Sequence, residues 1–346
     1  MKEEANHRDI KKKENVSMCT ALNIRSAKDK VFFGRNMDLA YDFNQRVLIL
    51  PINYQYEDRV TGNTVTNHTA IIGMGTIIDD HATFAEAMNT KGLACAGLNF
   101  DGYAYFEKKP VEGKLNLAPY DFTQWALSNF ETVEQVKEAI LTIELVDVPL
   151  NSKTPVPTLH WMITDKSGAS IVMERTVDGI KVYDNPVGVM TNNPTFHWHL
   201  TNLNEYLYLT KEHHQKTMWS DKELVSLGIG SGTLGIPGDF ASVSRFVRIA
   251  FLRANTPVLE EDDETISQFF NMLDYVKMVK GGVTTQEGLS DMTIYTSCMD
   301  LNEGVYYYRT YGDNRIKVVD IKKEKLDGRE PINYPYLKKQ DFNYLN

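Results

Sequence analysis

The sequence lacks the features that mark several classes of protein. It has three cysteines in 346 residues, a small odd number that argues against a disulfide framework and favours a reducing, cytoplasmic compartment. No apolar run approaches the ~18 residues of a membrane-spanning helix, so we expect no membrane partner. The net charge of −9 argues against nucleic acid, because a phosphate-binding surface is normally basic. A hydrophobic content of 42 % is enough for a large core, in one big domain or two.

Strand and helix patterns come in blocks, without strict alternation. β-branched and aromatic runs predict strands at 47–50, 70–78, 160–164, 169–175, 180–183, 292–299 and 305–311. Helical periodicity predicts helices at 121–130, at 133–143 behind a capping box of Thr132 and Gln135, at 242–254 and at 264–280. Such blocks favour an α+β fold of packed layers with antiparallel pairing over a doubly wound sheet.

One cysteine has an unusual place in the chain. Cys19 follows Met18 directly, and Phe33-Gly-Arg-Asn-Met-Asp38 comes about fifteen residues later. If Met18 were removed, Cys19 would carry both a thiol and a free α-amine. An α-amine titrates near ~7.7–8.0, so part of it is neutral at cytoplasmic pH and can accept the thiol proton. Cys19 is therefore a candidate nucleophile that carries its own base.

Five sequence blocks, in order, carry a family resemblance. After Met18-Cys19 and Phe33–Asp38 come Ala96-Gly-Leu-Asn-Phe100, Thr191-Asn-Asn-Pro-Thr-Phe196, and Pro237-Gly-Asp-Phe240 with Ser244-Arg245. The chain resembles the choloylglycine hydrolase family of N-terminal-nucleophile amidases, and the bile salt hydrolases in it more than the penicillin V acylases. The resemblance implies a four-layer αββα sandwich, a single domain over residues 19–346, and an amidase that needs no metal or cofactor.

The resemblance also implies a catalytic set, which is Cys19, Arg35, Asp38, Asn99, Asn192 and Arg245. Cys19 would be the nucleophile, and Arg35 would stabilise its thiolate with a fixed positive charge. Asp38 would hydrogen-bond the α-amine and raise its basicity. Asn99 and Asn192 would surround the carbonyl oxygen as an oxyanion hole, and Arg245 would add to the electrostatic network.

The implied substrates are conjugated bile salts with a glycine or taurine tail, and Asn99 favours them over penicillin V. The steroid requires an apolar groove that ends at the thiol. The family's groove segments contain Met37, Ile78, Phe84, Ala85, Leu145, Val148 and Leu150. Each of these could equally be a core residue. The family commonly forms homotetramers, and the aromatic-rich segment 195–214 falls at its assembly loop.

Residues 1–17 lie outside the resemblance. They are polar and contain no apolar run of a secretory signal. Two interpretations stay open for this extension: a pro-segment removed by self-cleavage, or a reading frame called too long, with translation starting at Met18. Both interpretations give a mature chain that begins at Cys19.

Other motifs allow other interpretations. Gly230-Ser-Gly-Thr-Leu-Gly235 satisfies a dinucleotide-binding pattern, but no clear strand precedes it and Pro237 follows. The histidines at 197, 199, 213 and 214 match no zinc spacing, and the acidic run at 260–264 reads as a solvated helix start. A papain-like pair of Cys95 with His160 is conceivable. For the whole protein, a penicillin V acylase or a non-catalytic bile-acid carrier stays an alternative.

Overall fold

The structure is a computed structural model that describes residues 18–346. The predicted extension therefore lies outside the described residues, apart from Met18. The described strands are β1 Met18–Arg25, β2 Val31–Leu39, β3 Arg46–Leu50, β4 Gln55–Glu57, β5 Thr64–Thr66, β6 Ile71–Ile78, β7 His81–Asn89, β8 Leu93–Asn99, β9 Leu115–Leu117, β10 Ile143–Leu145, β11 Leu159–Asp165, β12 Ser170–Thr176, β13 Gly179–Asp184, β14 Val189–Met190, β15 Thr217–Trp219, β16 Lys222–Leu224, β17 Val283–Thr284, β18 Ser290–Asp300, β19 Val305–Thr310, β20 Asp313–Asp320 and β21 Ile332–Tyr334. The α-helices are α1 Phe122–Asn129, α2 Val133–Ile140, α3 Phe196–Asn202, α4 Ser242–Asn255 and α5 Asp262–Asp274.

Two large antiparallel sheets form the centre of the molecule. One has the strand order β14-β1-β2-β18-β19-β20, with β17 added beside β18. The other has the order β13-β12-β11-β8-β7-β6-β3-β21. Helices α4 and α5 pack on the first sheet, and α1 and α2 pack on the second. The expected α+β fold with a four-layer αββα sandwich is confirmed.

Two predicted helices end earlier than the sequence pattern suggested. The helix predicted to reach 143 begins behind the predicted capping box and stops at Ile140. The backbone then forms β10, in which Ile143 pairs with Leu115. The helix predicted to reach 280 stops at Asp274, because Met278 exchanges hydrogen bonds with Thr293 on β18. In both places, pairing with a distant strand replaces local helical periodicity.

The hairpin of β1 and β2 positions Cys19. Cys19 lies opposite Met37, and Met18 lies opposite Asp38. Because side chains alternate along a strand, the odd positions of β2 face one side and the even positions the other. Arg35 reaches backbone carbonyls of the second sheet, whereas Asn36 donates to the carbonyl of Leu273 on α5. The thiol side of the hairpin thus faces the space between the two sheets.

Candidate active site

The thiol of Cys19 is buried at the start of β1. The residue is 1 % exposed, and its Sγ lies 3.9 Å from the Sδ of Met37. Burial raises the pKa of the thiol above its usual value, while the charges of Arg35 and Arg245 act in the opposite direction. With a raised pKa, the thiol is protonated near neutral pH. It needs a base before it can attack a carbonyl.

Arg35 lies beside this thiol, inside the space between the sheets. Its Nη1 donates to the carbonyl oxygen of Gly97 at 2.6 Å and to that of Ala85 at 3.2 Å. Its Nη2 lies 3.5 Å from Met37 Sδ, on the side of Cys19. The guanidinium is fully buried, so its charge acts on the sulfur through little solvent.

Asp38 lies on the helix-facing side of the hairpin. Its Oδ1 accepts a hydrogen bond from the hydroxyl of Thr293. Its Oδ2 is buried and has no hydrogen-bond partner within residues 18–346. Burial raises the pKa of this carboxyl to about 6, against the opposing charge of Arg245. An unpaired buried carboxylate oxygen is costly, so this atom marks a place for a donor.

Asn192 and Arg245 hold the backbone of Cys19. The Oδ1 of Asn192 accepts from the backbone N of Cys19 at 2.8 Å and from Arg245 Nη2 at 2.7 Å. The Nδ2 of Asn192 donates to the carbonyl oxygen of Asn99 at 2.8 Å. Arg245 Nη1 also donates to the carbonyl oxygen of Cys19 and to the hydroxyl of Thr20. The structure thus brings all six predicted catalytic residues into one connected cluster.

A supporting layer fixes the strand end that carries Asn192. The first residue of α4, Ser242, accepts from the backbone N of Asn192 at 2.9 Å. His199 donates to the carbonyl oxygen of Asn192, and His160 hydrogen-bonds that of Thr191, each at 2.9 Å. Burial lowers the pKa of His199 to about 4. His199 is therefore neutral near pH 7 and serves as a structural hydrogen-bond donor to the backbone of Asn192.

Sequence reasoning missed several residues that contact this cluster. Thr293 and Thr20 hydrogen-bond Asp38 and Arg245. Thr293 belongs to a predicted strand, but a threonine in a strand carries no local sign of a polar role. Only the pairing of β18 with β2 places Thr293 opposite Asp38.

The residues predicted to line a substrate groove fall into three groups. Met37 contacts the thiol sulfur, and Ala85 packs against the same core cluster as Cys19. Phe84 and Leu145 are buried between the second sheet and the helices α1 and α2. The remaining members lie near the loops: Leu150 in a small cluster with Tyr120, Ile78 packed against that cluster, and a half-buried Val148.

The competing motifs form no second site of the kinds considered. Cys95 belongs to the helix-facing cluster, whereas His160 pairs with Leu98, which faces the other way, so the two side chains lie on opposite faces. The glycine-rich segment at 230–235 forms a short 3₁₀ turn at Ser231–Thr233, not a strand followed by a helix. Within residues 18–346, no group of three or more histidine, cysteine or acidic residues has the geometry to hold a metal ion.

Comparisons with known proteins agree with this geometry. Residues 19–334 match the family model described as linear amide C–N hydrolases, choloylglycine hydrolase family. The chain belongs to this family. It is 45 % identical to a bile salt hydrolase/transferase of Clostridium perfringens, over 95 % of this chain and all of that protein. The expectation of an amidase that acts on linear amides is therefore confirmed.

Solved structures show the same fold. A crystal structure of a variant of conjugated bile acid hydrolase from Clostridium perfringens matches with a TM-score of 0.90 and 44 % identity, over 95 % of this chain and 100 % of that chain. A penicillin V acylase of Agrobacterium tumefaciens matches with a TM-score of 0.71 and 23 % identity, over 91 % of this chain and 90 % of that chain. The second match speaks for the fold alone. No helix in the described part of the chain is both long and apolar enough to cross a bilayer.

Proposed function

We propose that this chain is a bile salt hydrolase, which cleaves the amide bond of glycine- and taurine-conjugated bile acids through a thioester on Cys19. The observation that carries the proposal is the surroundings of the Cys19 nitrogen. Asn192 accepts from that nitrogen, and Met18 in front of it lies opposite Asp38, which has an unpaired buried oxygen. A free α-amine at Cys19 would supply the donor that Asp38 lacks.

The reaction follows from these positions. The α-amine takes the proton of the thiol, and the thiolate attacks the amide carbonyl. The amides of Asn99 and Asn192 surround the developing oxyanion. The amine then protonates the leaving nitrogen, the C–N bond breaks, and glycine or taurine departs. Water attacks the thioester and releases the bile acid.

The charged neighbours make this chemistry possible in a buried site. Arg35 favours the thiolate over the thiol, which opposes in part the rise that burial causes in the Cys19 pKa. Asp38 orients the amine and, when ionised, raises its basicity. Arg245 fixes Asn192 and the Cys19 carbonyl by direct hydrogen bonds, so it acts as a positioning residue.

Sequence similarity to named relatives supports the substrate class. A relative from Lactiplantibacillus plantarum is also named a bile salt hydrolase/transferase and is 40 % identical over 95 % of this chain. Apolar side chains near the thiol, Met37 and Ala85, suit a steroid body. A second amine that replaced water would intercept the thioester and give acyl transfer, in keeping with the names of these relatives.

The proposal requires that residues 1–18 be absent from the mature enzyme, which would then be a single domain over 19–346. With Met18 attached, the nitrogen of Cys19 is an amide, which cannot act as a base. Mass spectrometry of the intact protein, expressed from its own upstream DNA, should give a chain that begins at Cys19. A fully active enzyme that retains residues 1–18 would contradict this requirement.

Assembly and location complete the proposal. We expect a cytoplasmic homotetramer. Large apolar side chains are exposed at Trp198, Leu207, Trp219, Leu227 and Ile229, and an exposed apolar surface of this kind favours a partner. Light scattering coupled to size-exclusion chromatography should give four times the chain mass. A monomer at micromolar concentration would contradict the tetramer without affecting the chemistry.

The deciding experiment is amino-acid release from glycocholate, taurocholate and penicillin V by the Cys19-initiated protein. Fast release from the two bile conjugates, absent in the Cys19→Ala variant, is the expected result. Preference for penicillin V would replace the substrate but keep the mechanism. Tight binding of bile salts with no turnover would instead favour the non-catalytic carrier.

A further inference from the structure

A buried glutamate lies next to the proposed catalytic cluster, at an irregular point in the second sheet. In the pairing of β6 with β7, Met74 lies opposite Glu86, but the next residue, Gly75, lies opposite Phe84. Ala85 is therefore an extra residue, which makes a β-bulge. Bulges re-aim side chains and are frequent beside active sites.

The bulge changes which way Glu86 points. Phe84 and Ala87 both belong to the cluster between the second sheet and its helices. With regular alternation, positions three apart would face opposite sides. The extra residue lets Ala85 and Glu86 both face the first sheet, where Ala85 joins the cluster that contains Cys19. Glu86 is fully buried there.

Glu86 meets donors from two strands of the first sheet. Tyr306 donates its hydroxyl to Oε1 at 2.6 Å, and Tyr295 donates its hydroxyl to Oε2 at 2.8 Å. Oε2 also lies 3.8 Å from the Nε of Arg35, and the hydroxyl of Ser297 is a further donor. Burial raises the pKa of this carboxyl, while the charge of Arg35 and the hydroxyls of Tyr306 and Tyr295 act in the opposite direction. The geometry, in which both oxygens accept hydroxyl protons beside a guanidinium, is that of a carboxylate.

Arg35 thus lies between the carboxylate of Glu86 and the thiol of Cys19. Its Nε faces Glu86, and its Nη2 is on the side of Met37 and Cys19. The peptide before Glu86 contributes as well, because the Ala85 carbonyl accepts from Arg35 Nη1. One bulge therefore supplies both a backbone acceptor and a carboxylate to the same guanidinium.

Stability alone does not explain such a pair. A buried ion pair generally stabilises a fold no more than apolar residues of equal volume would. We propose that Glu86 is the counter-charge of Arg35 and acts on Cys19 through it: the carboxylate balances the charge of the guanidinium beside Cys19 whenever Cys19 is a thiol or a thioester. This inference rests on the proposed function only in taking Cys19 as the nucleophile.

The charge of Glu86 should affect the ionisation of Cys19, and this effect can be measured. When Cys19 is a thiolate, Arg35 faces two anions, and the negative charge of Glu86 cancels part of the positive potential that Arg35 produces at the sulfur. Removing the Glu86 charge leaves the whole field to the sulfur, while the carbonyls of Gly97 and Ala85 still hold the guanidinium. Asp38, Arg245 and the α-amine, the other charged groups around the thiol, are unchanged by that substitution.

The experiment measures alkylation of Cys19 by iodoacetamide as a function of pH, in the Cys19-initiated protein, with the labelled site identified by mass spectrometry. In Glu86→Gln, the midpoint of the profile should fall by on the order of one pH unit. Tyr306→Phe removes one donor to the carboxylate and should shift the midpoint in the same direction by less. In an Arg35→Met background, the buried Glu86 loses the charge that keeps it ionised and should be protonated, so the effect of Glu86→Gln should largely disappear.

Asp165→Asn is the matched control. Asp165 is also a buried acidic residue of the second sheet, but it lies on β11, two strands from the bulge, and accepts from the backbone N of Val133. This variant should lower the melting temperature and leave the alkylation midpoint unchanged. A midpoint in Glu86→Gln equal to or above that of the wild type would overturn the inference. Failure to hydrolyse bile salts would overturn the proposed function instead, since alkylation does not depend on the substrate.

Discussion

Two buried cysteines show how differently one side chain can be placed. Cys19 lies between the sheets, with Arg35 and Arg245 acting on its sulfur. Cys95 lies between the second sheet and the helices, where its sulfur contacts the hydroxyl of Thr123 at 3.6 Å. Burial raises the pKa of Cys95 to about 12, with no charged group among the causes.

The charged groups around each sulfur, and not the degree of burial, make the difference between the two thiols. Both thiols are almost completely removed from solvent, so exposure cannot distinguish them. What distinguishes them is the set of fixed charges around Cys19, together with a place for its α-amine. Cys19, the proposed nucleophile, is therefore distinguished from Cys95 by its electrostatic surroundings.

The largest expected difference between the two cysteines appears when each sulfur is removed in turn. Cys19→Ala should reduce bile salt hydrolysis by at least ~10³-fold, because no other group can form the thioester. Cys95→Ala should leave kcat unchanged and cost about 1 kcal/mol of folding stability through a small cavity. Turnover assays and thermal melts of both variants make the check. Comparable loss of turnover in both variants would contradict the assignment.

The next largest effect comes from the residue in front of Cys19. A protein that keeps Met18 should lose about 10²–10⁴-fold in kcat, because an amide nitrogen cannot take the thiol proton. The measurement compares single-turnover rates of Met18-retaining and Cys19-initiated protein at pH 7. A variant with Met18 followed by an efficient protease site serves as control, since cleavage should restore activity. Equal rates in both forms would point to a different base.

The fold and the site differ in how far the sequence predicted them. The hydrophobic pattern predicted seven of the 21 strands in residues 18–346 and missed long ones such as β1, β2, β7 and β8. The family motifs predicted the fold, which is confirmed, and the proposed catalytic set. The pattern did not show that Cys19 and Met37 pair across a hairpin, because register depends on the partner strand. It also missed Glu86, whose role arises from one extra residue in β7. Contacts set by pairing between distant strands carry no local signal.

The third largest effect is that of Asp38→Asn on the free energy of unfolding, and it depends on whether Met18 is retained. With Met18 in place, burial raises the pKa of Asp38 to about 6. The folded protein therefore binds more protons than the unfolded chain between the usual pKa and 6, so stability falls as pH rises through that window and is constant above it. Asp38→Asn should stabilise the Met18-retaining protein by about 1–3 kcal/mol at pH 8.

In the Cys19-initiated protein the same substitution should bring no such gain, because a positive α-amine pairs with the ionised carboxylate. Urea denaturation of the wild type and Asp38→Asn, in both forms and at pH 4 and pH 8, provides the eight values needed. Asp165→Asn, which removes the carboxylate that accepts from Val133, should destabilise both forms alike. The same stabilisation by Asp38→Asn in both forms would show that Asp38 does not bind the amine.

The smallest effect returns to Cys95 and its hydroxyl neighbour. Thr123→Val keeps the volume of the side chain and removes a weak hydrogen bond to sulfur, so the free energy of unfolding should fall by less than ~1 kcal/mol. Without this hydroxyl, which lowers the pKa of Cys95, the thiol becomes still harder to ionise. Iodoacetamide should therefore leave Cys95 unlabelled in the folded variant, and kcat should not change. Faster labelling of Cys95 at an unchanged stability would mean that access, and not charge, keeps this thiol inert, and the contrast with Cys19 would then need a different cause.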